Sequence, residues 1–108
     1  MIVTIKIEVI MKTTVVILLI TLGMLTKTGK FETDFFKTKD GKELRITFIK
    51  HGSLIFEYDS KIMYVDPVSD YADYSKLPKA DVILITHEHG DHLDSKAISA
   101  VEKEGTLL

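Results

Sequence analysis

Apolar and polar residues alternate from Leu44 to Phe48, and the segments on the two sides of Asp40-Gly41 are predicted to be antiparallel β-strands. The strands span residues 31–39 and 44–50. Between them lies Asp40-Gly41, a dipeptide that tolerates the positive φ angles of a β-hairpin turn. The alternation in the second strand predicts that one of its faces is buried. The apolar residues of that face are Leu44, Ile46 and Phe48.

A second hairpin and a buried strand are predicted further along the chain. Residues 54–58 and 61–65 flank Asp59-Ser60 and form the hairpin. Pro67 ends its second strand, because proline cannot donate a hydrogen bond to a β-ladder. Residues 82–85 are all apolar, and such a continuous run is typical of a strand that is covered on both faces.

One helix is predicted after these strands. Residues 68–79 are polar and contain tyrosines, so we expect a loop there, with at most one helical turn. Asp94 or Ser95 can cap the N-terminus of a helix that extends to about Lys103. Residues 106–108 resemble the start of a further strand. This order of elements indicates an α/β or α+β fold.

Composition narrows the functional classes. The chain has 108 residues, of which 45% are apolar and 28% are charged, and its formal net charge is −2. These values indicate a globular protein of at most one small domain. Because no excess of basic residues is available to neutralise phosphates, we expect no nucleic-acid partner. The chain contains no cysteine, which excludes disulfides and thiolate metal ligands.

The first 30 residues differ in charge from the rest of the chain. They carry four lysines and one glutamate, whereas residues 31–108 carry 10 basic and 15 acidic groups. Within the first part, residues 13–25 form a 13-residue uncharged run directly after Lys12. This length fits a signal peptide, whose apolar region has about 7–15 residues, better than a membrane-spanning helix, which needs about 20.

We therefore predict that residues 1–28 are an N-terminal extension that contains a signal peptide or a membrane anchor. Residues 29–108 would then form a partial domain. The protein would be exported to the periplasm or the extracellular space, or it would be anchored to a membrane through residues 13–25. A buried core strand or helix at residues 15–22 is the alternative.

Side chains that can bind metals are concentrated directly after the last predicted strand. Three of the four histidines, His87, His89 and His92, fall within six residues, together with Asp91. Residues two apart in an extended segment project to the same side, so His87 and His89 can share one metal ion. Gly90 allows a turn, after which Asp91 and His92 can face a second position. Imidazole and carboxylate suit Zn²⁺ and related metals, so the spacing predicts two half-sites.

The segment His87–His92 resembles the H-x-H-x-D-H signature of the metallo-β-lactamase superfamily of metallohydrolases. In that family, as here, the signature follows a hydrophobic strand and precedes a helix. Asp66, at the end of a predicted strand, is similar to an acidic residue that supports the family's metal ligands. Residues 46–53 are similar to the branch of lactonase-like and other broadly defined metal-dependent hydrolases.

The resemblance covers about residues 42–108 and implies a four-layer αββα sandwich with a two-metal site along one edge of its sheets. His87 and His89 would hold the first metal ion, and Asp91 and His92 would hold the second. The implied cofactors are two divalent metal ions. Zn²⁺ is the first choice, and Mn²⁺ and Fe²⁺ are alternatives.

The implied activity of the intact protein is that of a metallohydrolase with a small-molecule substrate. Metal-activated hydroxide would attack an ester, a lactone or a phosphoester. Asp91 would orient this nucleophile and accept a proton, which makes Asp91 the candidate catalytic residue. Asp66 would accept a hydrogen bond from a ligand imidazole and fix its tautomer. His51 is a candidate for a residue on the substrate side of the site.

The family also needs a later histidine, a bridging carboxylate and a final histidine, and these do not follow His92 in this sequence. We therefore expect the chain to be the N-terminal half, or less, of the sandwich, truncated and inactive alone. A non-catalytic metal-binding module and a non-functional fragment are the alternatives. The sequence predicts no oligomeric state.

Overall fold

Within residues 30–108, five strands lie in one sheet, and their order across the sheet follows their order along the chain. This computed structural model describes residues 30–108, so the predicted N-terminal extension with the run at 13–25 lies outside the described residues and stays a prediction. The strands are β1 (Glu32–Lys37), β2 (Glu43–Lys50), β3 (Ser53–Tyr58), β4 (Lys61–Val65) and β5 (Val82–Leu84), and helix α1 spans Ser95–Val101. Within residues 30–108, no helix is long and apolar enough to cross a membrane.

Strands β1 and β2 pair in antiparallel register, which confirms the first predicted hairpin. Their connection is longer than a two-residue turn. The amide of Thr38 donates to the carbonyl of Lys42 at 2.9 Å, and the amide of Gly41 donates to the carbonyl of Thr38 at 3.0 Å. Of the pair Asp40-Gly41, Gly41 alone has a positive φ, of 82°. The longer loop needs this conformation at one position only, and glycine adopts it without steric cost.

Strands β3 and β4 form the second predicted hairpin, which is also antiparallel. Here the turn is two residues long, and Asp59 and Ser60 have positive φ angles of 48° and 61°. A turn of this mirror-image type matches the right-handed twist of the strands that it joins. The two residues predicted for the turn are therefore the two that make it.

Strands β4 and β5 pair in parallel, whereas the other neighbouring strands among residues 30–108 pair antiparallel. The crossover between them contains one 3₁₀ turn at Tyr74–Lys76, within the predicted loop. Near the end of the sequence, Leu107 forms a single parallel bridge to Val82, where a further strand was predicted to start. Because parallel neighbours end at the same edge, the ends of β4 and β5 lie side by side, and the amide of Asp66 donates to the carbonyl of Leu84 at 2.9 Å.

One face of the sheet packs against helix α1. Ile55, Tyr64 and Ile83 are register partners across β3, β4 and β5, and none of them exposes more than 4% of its surface. The buried residues of the helix are Ala97, Ile98 and Val101. Each large apolar side chain that is buried in this way contributes about 1.5–3 kcal/mol, so this contact fixes the helix against the sheet.

Asp94 is the N-cap of helix α1, which confirms the first of the two predicted caps, Asp94 and Ser95. Its Oδ1 accepts hydrogen bonds from the amides of Lys96 at 2.8 Å and Ala97 at 3.2 Å. Its Oδ2 accepts from the amide and the hydroxyl of Ser69, at 2.7 Å and 2.5 Å. The carboxylate therefore ties the crossover loop to the helix. The helix ends at Val101, two residues earlier than predicted.

The opposite face of the sheet is apolar, and the single helix of residues 30–108 does not cover it. Leu44, Ile46 and Phe48 lie on this face, and Phe48 is 40% exposed. In β5, Ile83 is 1% exposed but Leu84 is 48% exposed. The predictions that β2 has a buried apolar face and that β5 is covered on both faces are therefore wrong for the described residues, because α1 packs on the other side.

Replacing Phe36 with threonine should reduce self-association of the chain. Phe36 is a register partner of Leu44 on the uncovered face, and 49% of its surface is exposed. Exposed apolar patches drive association, so sedimentation velocity should show a smaller oligomeric share for Phe36→Thr than for the unchanged chain. The matched control is Phe35→Thr, because Phe35 is also 49% exposed but lies on the other face. An equal effect of both substitutions would contradict the role of the uncovered face.

Asp94 should make the stability of the fold depend on pH in acid. Burial raises the pKa of Asp94, but the hydrogen bonds from Ser69 and from the amides of Ala97 and Lys96 outweigh burial and leave the pKa below its ordinary value of 3.8. The carboxylate therefore stabilises the fold above pH 3.8. This contribution is lost as the pH falls through the lower pKa of the folded state.

Asp94→Asn should flatten this loss of stability in acid. Asparagine caps a helix about as well as aspartate but does not titrate, so urea unfolding midpoints measured from neutral to acidic pH should fall less steeply than in the unchanged chain. Asp94→Ser caps without titrating and should behave in the same way. Asp94→Ala should instead lose roughly 0.5–2 kcal/mol at neutral pH. A midpoint that falls equally steeply in Asp94→Asn would refute the assignment.

Candidate metal centre

The histidine-rich loop follows β5 and turns sharply before α1. The amides of His92 and Leu93 both donate to the carbonyl of His89, each at 2.8 Å. The backbone thus folds back around Gly90, where the sequence predicted a turn. The turn brings His92 beside His87, with their ring centroids 4.0 Å apart.

His87 and His89, the predicted ligands of the first metal ion, lie next to each other with ring centroids 4.8 Å apart. Each offers a ring nitrogen and Asp91 offers a carboxylate oxygen, and these three atoms lie within 4.8 Å of one another. The structure thus groups Asp91 with this pair, whereas the sequence grouped it with His92 alone. The assignment of these residues as ligands stays a prediction.

The predicted second half-site contains one residue more than expected. Nε2 of His92 lies 3.4 Å from Oδ2 of Asp91, and Nε2 of His51 lies 3.2 Å from the same oxygen. His51, Asp91 and His92 therefore form a second group of potential ligands within 4.8 Å. His51 comes from the turn between β2 and β3, where its φ is 56°. The sequence predicted a position beside the site for it, on the substrate side.

Asp66 is buried beneath these residues and is 1% exposed. Its Oδ1 accepts from the amide of Thr86 at 2.7 Å, and its Oδ2 accepts from the hydroxyl of Thr86 at 2.6 Å and lies 2.6 Å from Nδ1 of His92. Burial raises the pKa of Asp66, but these hydrogen bonds outweigh burial and leave the pKa below its ordinary value. A charged carboxylate can only accept, so Nδ1 of His92 carries a proton, and in the neutral ring Nε2 then presents a lone pair.

Thr86 connects Asp66 to a second histidine, a role that the sequence did not reveal. The hydroxyl of Thr86 gives its single proton to Asp66, so toward Nδ1 of His87, 3.0 Å away, it can only accept. His87 therefore also carries its proton on Nδ1 and presents Nε2. The one feature of the sequence that could have pointed to this role is the position of Thr86, between a strand and the histidine motif.

Gly52 gives His92 the space that its ring needs, and this position was also missed. A Cβ at residue 52 would lie 3.0 Å from Cε1 and 3.2 Å from Nδ1 of His92, and 3.4 Å from Oδ2 of Asp66. The ring cannot move away without losing its bond to Asp66. Glycine is required here because the ring of His92 approaches the backbone closely. The position of Gly52 directly after His51 is the feature of the sequence that could have pointed to this role.

Gly52→Ala should lower the free energy of unfolding by about 1–3 kcal/mol, the usual cost of an added group in a packed region. It should also change the ring NMR resonances of His92. The matched control is Gly90→Ala, since no atom lies within 4 Å of a Cβ at residue 90. That control should alter stability by no more than about 0.5 kcal/mol. Unchanged His92 resonances in Gly52→Ala would show that the ring is not held as described.

Comparison with known proteins places the chain in a family. Residues 45–106 match the beta-lactamase superfamily domain. A UPF0173 metal-dependent hydrolase from Flavobacterium johnsoniae is 43% identical to this chain over 63 residues, which is 52% of this chain and 28% of the relative. A crystal structure of a protein assigned as a metal-dependent hydrolase, from Parabacteroides distasonis ATCC 8503, is 71% identical, with a TM-score of 0.69 over 69% of this chain and 34% of that one.

The chain spans about a third of the length of these two proteins, 28% and 34% respectively. Its mixed five-stranded sheet with little helix corresponds to part of the α/β fold that the resemblance implied. The match to the family covers residues 45–106, more than half of the sequence. The chain therefore belongs to the β-lactamase superfamily, in the metallo-β-lactamase sense that its histidine motif predicted.

Proposed function

We propose that this chain supplies the histidine-rich part of the active site of a metal-dependent hydrolase. The observation that carries the proposal is the convergence of two groups of potential ligands, which share Asp91, at one edge of the sheet. The two similar proteins named above are both called metal-dependent hydrolases. The proposed substrate is a small molecule with an ester, lactone or phosphoester bond.

The donor atoms fit divalent metal ions. Imidazole nitrogen and carboxylate oxygen are ligands of Zn²⁺ and also bind Mn²⁺ and Fe²⁺, and we propose Zn²⁺ first. Hydrogen bonds leave Nε2 of His87 and of His92 as lone-pair donors, the form in which imidazole binds a metal. Because both groups of potential ligands contain Asp91, two neighbouring ions fit the arrangement better than one.

Each residue of the site has a distinct proposed role. Divalent ions bound here would polarise a carbonyl or phosphoryl oxygen and lower the pKa of water toward neutrality. Asp91 belongs to both groups, so it is proposed to orient the attacking water and to accept its proton. Asp66 holds the ring of His92 directly and that of His87 through Thr86.

The proposal is tested with a chimaera in which residues 30–108 replace the matching third of the Parabacteroides distasonis protein. The chimaera should bind two zinc ions and hydrolyse at least one member of a panel of esters, lactones and phosphodiesters. Replacing both His87 and His89 by alanine should remove one ion and lower activity at least about a hundredfold. Mutation of a residue that only hydrogen-bonds to a metal ligand already lowers metal affinity or activity about 10–100-fold. Metal content by mass spectrometry and initial rates measure both effects.

The matched control is Glu88→Gln, which alters the exposed residue between the two histidines. It should retain metal and activity. Full metal content and full activity in the double alanine variant would sink the proposal. Two bound ions without turnover of any substrate would instead favour a non-catalytic metal-binding module.

A further inference from the structure

We propose that His51 is a third protein ligand of the second metal ion, together with Asp91 and His92. The inference rests on the proposed function, because it assumes that a metal ion is bound. The inference goes beyond the proposed function because it adds a ligand from the turn between β2 and β3, a segment separate from the histidine motif. Within the described residues, the second ion would then have three protein ligands, the number that zinc sites ordinarily require.

The distances between the donor atoms support this assignment. In a tetrahedral zinc centre with bonds of about 2.0–2.1 Å, neighbouring ligand atoms are about 3.3 Å apart. Oδ2 of Asp91 lies 3.2 Å from Nε2 of His51 and 3.4 Å from Nε2 of His92. All three residues offer ligand atoms within 4.8 Å of one another. The two separations from the carboxylate oxygen thus match those of atoms around a common ion, and the third is within 4.8 Å.

The backbone holds His51 at this place in an uncommon conformation. His51 has a φ of 56°, in the left-handed region that few residues other than glycine adopt, although histidine, asparagine and aspartate do so more often than most. The next residue is Gly52, whose missing side chain lets the ring of His92 approach the turn. As a result, the ring centroids of His51 and His92 lie 5.0 Å apart.

A simple ion pair between His51 and Asp91 does not account for this arrangement. The side chains of His51 and Asp91 are 51% and 52% exposed, and exposed ion pairs contribute little to stability. Nε2 of His51 and Nε2 of His92 are both directed at the same carboxylate oxygen. A cation bound between His51, Asp91 and His92 would contact all three side chains. An ion pair between His51 and Asp91 leaves His92 out.

The experiment compares zinc binding by the full 108-residue chain and by its His51→Gly variant. Glycine removes the imidazole and adopts a φ of 56° without strain, so the variant should keep the circular dichroism spectrum of the unchanged chain. Calorimetric titration with zinc should show two sites in the unchanged chain. In the variant, the second site should be weakened by roughly tenfold or more, and the first should be unchanged.

Ring ¹⁵N spectra give a second readout that does not depend on a variant. In the unchanged chain, Nε2 of His51 should shift together with Nε2 of His92 when the second equivalent of zinc is added. A shift of His92 without a shift of His51, or equal zinc affinities in the His51→Gly variant, would overturn the inference and leave His51 on the substrate side. Glu88→Gln is the control and should bind both ions as the unchanged chain does.

Failure of this inference and failure of the proposed function can be told apart. If His51→Gly binds both ions normally while the chimaera hydrolyses its substrate, only the inference fails. If His51 binds zinc as inferred but the chimaera turns over no substrate, only the proposed function fails. Absence of zinc binding by the folded, unchanged chain would overturn the inference alone, because the chimaera decides the proposed function.

Discussion

The buried carboxylate of Asp66 is the contact on which the candidate site depends. A buried charge is costly unless hydrogen bonds satisfy it, and Asp66 is satisfied by Thr86 and His92. These bonds also decide which ring nitrogen carries the proton, directly in His92 and through the hydroxyl in His87. Satisfying the buried charge and presenting lone pairs to a metal are therefore a single constraint.

The sheet brings these residues together through three neighbouring strands. Asp66 follows β4 and Thr86 comes two residues after β5, and the parallel pairing of these strands places both at one edge. From the first residue of β3, the hydroxyl of Ser53 donates to the carbonyl of Asp66 at 2.5 Å. The left-handed φ of Asp66, 44°, is one that aspartate tolerates better than most residues. The site is thus held by backbone as well as by side chains.

Local patterns in the sequence predicted the two hairpins, the helix cap and the histidine cluster, because each depends on residues that are near one another in the chain. The covered faces of β2 and β5 were not predictable in this way, since they depend on where α1 packs. The contributions of Gly52 and Thr86 were missed for a related reason. Gly52 acts through His92 and Thr86 acts through Asp66, and a contact between distant segments leaves no periodic pattern in a single sequence.

The connectivity of the sheet also bears on the order in which the chain folds. Strands β1 to β4 form a meander joined by short turns, whereas β5 reaches β4 only after the crossover at residues 66–81. Closing a longer loop costs more conformational entropy, and contacts between distant segments tend to form later. The meander is therefore expected to assemble as a nucleus, with the parallel strand docking afterwards. Until it docks, the acidic residue at the end of the meander has no His92 beside it, so the candidate site is the last part of the molecule to mature.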